Sequence, residues 1–219
     1  EPSAIRVISP DYTESNVFSD SVVTQNIIIK NCYIDKLNTF QGGCITIHRT
    51  PVKNVEILDN TLRGGYAGFW VQTGVNEYYT IKGNEFYQLP RETNDVPNAA
   101  ANLLVINASE FNGYIKISDN TFENGSFDVN GNPQSVVIEN NLITTFYRLN
   151  SVNGNDITIK NNTVKNHKND PYERINTTLR HFLRITSFSS LVLESNVFDN
   201  KLGDNHSNTG VLIGSDAYE

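Results

Sequence analysis

One eight-residue pattern recurs along this chain and restricts its fold more than any other feature: apolar, any residue, Ile or Leu, two polar residues, Asn, any residue, apolar. It reads VEILDNTL at 55–62, YTIKGNEF at 79–86, IKISDNTF at 115–122, VVIENNLI at 136–143, ITIKNNTV at 157–164 and LVLESNVF at 191–198. A seventh copy, IIIKNCYI at 27–34, carries Cys32 where the others carry Asn. Self-similarity at such spacing marks stacked units, each of which buries its apolar face only against its neighbours.

Within each copy the apolar residues alternate and many are β-branched, which predicts strands; no copy sustains a helical period. The copies run in one direction and lie too close together for helical crossovers, so they are expected to stack in parallel. A further strand follows each copy: CITIH at 44–48, GFWVQ at 68–72, NLLVIN at 102–107, SFDV at 126–129, FYRL at 146–149, HFLRI at 181–185 and GVLI at 210–213, with AIRVI at 4–8 in the same sheet. The expected fold is all-β: one right-handed parallel β-helix over 1–219, about seven to eight coils of three short strands each. The recurring Asn should sit in the bend between two strands, where Asn tolerates left-handed backbone angles. With side chains turned inward, Asn60, Asn84, Asn120, Asn141, Asn162 and Asn196 would bond amide to amide as a ladder.

Composition narrows the function classes. With 38% hydrophobic and 19% charged residues the chain reads as globular, and no apolar run is long enough to insert in a membrane. A net charge of −7 argues against a general nucleic-acid binder. The charge is uneven: Arg148, Lys160, Lys165, Lys168, Arg174, Arg180 and Arg184 against Asp156, Asp170 and Glu173 give a local +4 over 144–184, leaving −11 for the remainder. A basic patch on an acidic body suits an anionic substrate. Cys32 and Cys44 fit either two free thiols or one bridge. Four His, two Cys and no dense acidic cluster give a metal site little support.

Across essentially the whole chain, these repeats resemble the pectate-lyase-like superfamily of right-handed β-helix proteins. That group includes polysaccharide lyases, glycoside hydrolases, sugar epimerases and trimeric bacteriophage tail spikes. The Arg-x-x-Pro-x-x-Arg-like segment of pectate lyases is missing, as are the Asp-Asp pair and Gly-His-Gly of polygalacturonases. The resemblance implies an extracellular, cell-surface or virion-associated protein acting on a polysaccharide, with its cleft beside long loops. It alone would admit a calcium cofactor; the residues call for none. The chain opens almost directly on a strand and stops just after one, with no amphipathic capping helix, so it is expected to be an excerpt of a longer chain or part of a homotrimer.

Ladder intervals locate the loops. Asn84 to Asn120 spans 36 residues, the next two intervals 21 each, and Asn162 to Asn196 34. The extra residues fall in 87–101 and 165–180. With coils about 4.8 Å apart, these loops should stand as walls roughly 15 Å apart around a floor of two minimal coils. If Ile45, Ile47, Phe69 and Val71 face the core, alternation turns Thr46, His48, Trp70 and Gln72 outward, and likewise Arg6, Asn107, Asp128, Arg148 and Arg184.

Trp70, the sole Trp, can stack on a sugar ring or pack in the core. Asp128 and Arg148, on successive coils, can hold an acidic polymer or form a cross-coil ion pair. Wall residues Glu92, Asp95, His167, Tyr172, Glu173, Arg174, Arg180 and His181 could reach the same groove. Hydrolysis would use Asp128 with Glu173 or Asp95, since it needs two carboxyls about 5–9.5 Å apart. Lyase chemistry would take its base from His167, Tyr172 or Arg174. His48 with Gln72 makes a second, smaller patch. Two functions remain open: a polysaccharide lyase or hydrolase, and a non-catalytic glycan-binding or structural β-helix segment such as part of a tail spike.

Overall fold

Alternating apolar residues need a second apolar layer on one side only, and here each strand finds it inside a triangular coil. The computed structural model describes residues 3–8, 24–36, 42–48, 52–64, 67–72, 75–88, 102–107, 110–145, 150–166, 181–200 and 209–214. Strands are numbered β1–β22 in chain order and fall into three sheets. Sheet A holds β1 (Ile5–Ile8), β4 (Gly43–His48), β7 (Ala67–Gln72), β10 (Asn102–Asn107), β13 (Ser126–Asn130), β16 (Asn150–Val152), β19 (His181–Ile185) and β22 (Thr209–Ile213). Sheet B holds β2 (Thr24–Lys30), β5 (Val52–Leu58), β8 (Val75–Lys82), β11 (Glu110–Ser118), β14 (Ser135–Glu139), β17 (Asp156–Lys160) and β20 (Ser190–Glu194). Sheet C holds β3 (Tyr33–Lys36), β6 (Thr61–Gly64), β9 (Glu85–Tyr87), β12 (Thr121–Glu123), β15 (Leu142–Thr145), β18 (Thr163–Asn166) and β21 (Val197–Asn200).

Each strand pairs in parallel with the strand three places earlier or later. The chain therefore winds B, C, A for seven coils, after one opening strand in sheet A: a right-handed parallel β-helix. Like residues stack on like along the axis. Leu62, Phe86, Phe122, Ile143 and Val164 form one buried column through successive registers of sheet C. The rings of Phe86 and Phe122 lie parallel within 5° at 4.8 Å between centroids.

The two-residue bend from sheet B to sheet C carries the ladder. Asn120 accepts at Oδ1 from the N–H of Asn84 at 2.9 Å and from its Nδ2 at 3.0 Å. It passes the same pair of bonds to Asn141, both at 3.0 Å. The pattern runs unbroken from Asn60 to Asn196. Each rung's Nδ2 also donates to a strand carbonyl of the preceding coil, such as Ile81 from Asn120 at 2.9 Å. Buried amides are thus satisfied by one another.

Backbone angles correct one expectation. The left-handed residue is not the rung but the one before it: Asn31, Asp59, Asp119, Asn140, Asn161 and Ser195 have φ between 52° and 58°, and Gly83 has 68°. The rung keeps ordinary angles and spends its side chain on the ladder, while its exposed neighbour makes the turn.

FYRL at 146–149 lies outside the described residues; the described strand of sheet A in that coil is Asn150–Val152, which places Val152 fully inside. Both cysteines are free. Cys44 is fully buried, and that burial pushes its thiol up to about 11.

Candidate functional site

The outward face of sheet A gathers the chemistry that the described residues offer. Registers place Arg6, Thr46, Trp70, Val105, Asp128, Ser151 and Arg184 in one row along the axis. Their neighbours one position on face the core: Ile47, Val71, Val129 and Ile185 are at most 1% exposed. Outward assignment by alternation therefore holds for Thr46, Trp70, Asp128 and Arg184. Strand spacing sets Trp70 about 10 Å from Asp128, and Asp128 about 10 Å from Arg184. Trp70, Asp128 and Arg184 are half-buried, and each already holds an interaction within the chain.

Outward does not mean open everywhere along the row. Thr46 is 4% exposed, and its hydroxyl bonds the hydroxyl of Ser3 at 2.8 Å. Val105 is 7% exposed, an apolar step between Trp70 and Asp128. The usable stretch therefore runs from Trp70 to Arg184.

A second row lies beside the first: His48, Gln72, Asn107 and Asn130 are in register. Beyond Asn130, Asn153 donates its N–H to the Val129 carbonyl at 2.9 Å, and its side-chain oxygen accepts from the Thr186 hydroxyl. Asn107 is exposed, while Asn130, Asn153 and Thr186 are half-buried. Ser151, Asn130 and Asn153 escaped the sequence reading. The signal was present in Val129 and Val152, whose core positions turn the residues beside them outward.

The register partner of Asp128 in β16 is Ser151. Arg148 itself lies outside the described residues, as do Glu92, Asp95, His167, Tyr172, Glu173, Arg174 and Arg180. His48, Gln72 and His181 have described backbones in β4, β7 and β19, but their side chains lie outside the description. The loops of these wall residues enter sheet A at β10 and β19, separated by β13 and β16. That is three strand steps, about 14 Å.

The basic stretch does not make one patch among the described residues. Lys160 projects from sheet B, Lys165 from sheet C and Arg184 from sheet A. A coil visits all three faces, so charges close in sequence part company around the helix. Among the described residues no three His, Cys, Asp or Glu side chains gather as a metal site requires.

Comparison with family models, with curated proteins and with solved structures returned no match for this chain.

Proposed function

We propose that this chain is a β-helix of the pectate-lyase-like kind that recognises a polysaccharide outside the cell along the outward face of sheet A. It depolymerises that polymer, as a lyase or glycoside hydrolase, where the 87–101 and 165–180 loops border the face. The observation that carries the reading is the register row holding Trp70, Asp128, Ser151 and Arg184, with the amides of Asn107, Asn130 and Asn153 beside it. An indole covers the apolar face of a sugar ring, amides and hydroxyls exchange hydrogen bonds with sugar hydroxyls, and a guanidinium fits a uronate carboxylate. From Trp70 to Arg184 the row extends about 19 Å, a length suited to a polymer rather than one sugar.

Each chemistry asks for a partner from the loops. Hydrolysis needs a second carboxyl about 5–9.5 Å from Asp128, for which Asp95 or Glu173 would serve. Elimination needs the uronate neutralised by Arg184 and a base from His167, Tyr172 or Arg174. A second reading, non-catalytic glycan binding as in part of a trimeric tail spike, gains from one observation: Asp128 is the single carboxylate among the described residues of this face.

Incubation with a panel of neutral and acidic polysaccharides separates these outcomes. Unsaturated uronate products mark a lyase, new reducing ends a hydrolase, and binding without either the second reading. Trp70→Ala and Arg184→Ala should each weaken binding about tenfold, or about 1.4 kcal/mol. Absence of binding to every polymer, or unchanged binding by both folded variants, overturns the proposal.

A further inference from the structure

An asparagine followed by glycine is exposed to attack by its own backbone. The next amide nitrogen lies within reach of the side-chain carbonyl carbon, and glycine brings no Cβ to block the approach. The sequence holds four such pairs: Asn112–Gly113, Asn124–Gly125, Asn130–Gly131 and Asn153–Gly154. The Asn112 side chain lies outside the described residues. The other three pairs are held in different ways.

Asn153–Gly154 is tied at both reacting groups. The Gly154 N–H donates to the Ser187 carbonyl at 3.0 Å, and Asn153 Oδ1 accepts from the Thr186 hydroxyl. Gly154 is also buried. At the second pair the Asn124 N–H donates to the Thr144 carbonyl at 2.9 Å, and Gly125 is buried.

Asn130–Gly131 is looser. Asn130 ends β13 and Gly131 leaves the strand at φ 125°, both half-buried. Neither the Asn130 side chain nor the Gly131 N–H has a hydrogen-bond partner among the described residues. Asn132 beside them is exposed, but Pro133 follows it and has no N–H to lose.

We propose that Asn130 is a modification site, at which the folded chain converts its own side-chain amide into a carboxylate. Hydroxide takes the proton from the Gly131 nitrogen, which attacks Asn130 Cγ. The new C–N bond closes a cyclic imide, and the side-chain nitrogen leaves as ammonia. Water then opens the imide at either carbonyl, giving aspartate or its isomer with the backbone routed through the side chain. The step consumes water alone and needs no oxidant or cofactor. The added charge falls on the outward face of sheet A, two residues from Asp128, where Asn130 stands in register with Asn107.

The test ages the whole chain in warm, mildly alkaline buffer, once native and once in guanidinium chloride. Peptide mapping by mass spectrometry follows each pair, since conversion of amide to acid adds one dalton. In denaturant the pairs should react at similar rates. In the native chain Asn130 should stay within about threefold of its denatured rate, while Asn153 should slow at least about tenfold, because its bonds must open before the imide can close. Asn130 slowed by folding as much as Asn153 overturns the proposal. So does native conversion of Asn124 or Asn153 ahead of Asn130.

Discussion

Asn120 and Asn161 are both asparagines in a bend between strands, yet they do different work. Asn120 is 1% exposed and holds bonds on three sides: to Asn84, to Asn141 and to the Ile81 carbonyl. Asn161 is exposed and makes the turn at φ 55°. Asn120→Ala leaves buried donors and an acceptor without partners and should cost about 3 kcal/mol. Asn161→Ala pays only the strain of a left-handed Ala, about 1 kcal/mol. Urea unfolding midpoints of the two variants read this difference, and equal losses would mean the buried amide is no more valuable than the turn. The cysteines offer a similar contrast. Cys44 is buried and holds its proton to about pH 11; Cys32 is half-buried in the first bend. A thiol reagent at neutral pH should therefore modify one cysteine in the native chain and two in denaturant. Rapid modification of both in the native state would contradict the placement of Cys44.

At the scale of elements, outer faces of neighbouring strands are tied by charge. Glu139 in β14 lies between Lys116 in β11 and Lys160 in β17, with contacts of 2.7 and 3.1 Å. Hydrogen bonds from Lys116 first, then Lys160, hold its carboxyl below the usual glutamate range, against a smaller opposing effect of burial. A carboxylate depressed in the folded state adds stability above its unfolded value of about 4.3 and loses it as pH falls through the lower folded value. The side chain is 13% exposed while both lysines are more than a third exposed, so the contribution should be about 1 kcal/mol. Glu139→Gln should lower the urea midpoint at pH 7, and the gap to the parent chain should close as acid protonates Glu139 in the folded state. A constant gap across that range would show the clamp does not titrate. Elements were also where the sequence was most legible. NLLVIN and HFLRI match β10 and β19 end to end. Asn150–Val152 went unread because a short strand with one core Val carries almost no periodic signal. The left-handed position misled as well, because two adjacent polar residues at each bend look interchangeable until their φ angles are known.

The whole molecule follows from repeating one rule seven times. Periodicity identifies the columns of the core, since Ile57, Ile81, Ile117, Ile138 and Ile159 stack in register. The site was less legible for a geometric reason. Residues of a single coil point to three faces, so Lys160, Lys165 and Arg184 of the basic run part onto three sheets, whereas Trp70, Asp128 and Arg184, distant in sequence, share a row. Sequence distance misjudges proximity here, and register corrects it. The most direct test of the account is NMR contact between side-chain amides of successive rungs. We predict cross-peaks linking the Nδ2 protons of Asn84 to Asn120, Asn120 to Asn141 and Asn141 to Asn162, residues 36, 21 and 21 apart in the chain. Their absence, or close Hα–Hα contacts of antiparallel strands in their place, would contradict the stacked coils and every register drawn from them.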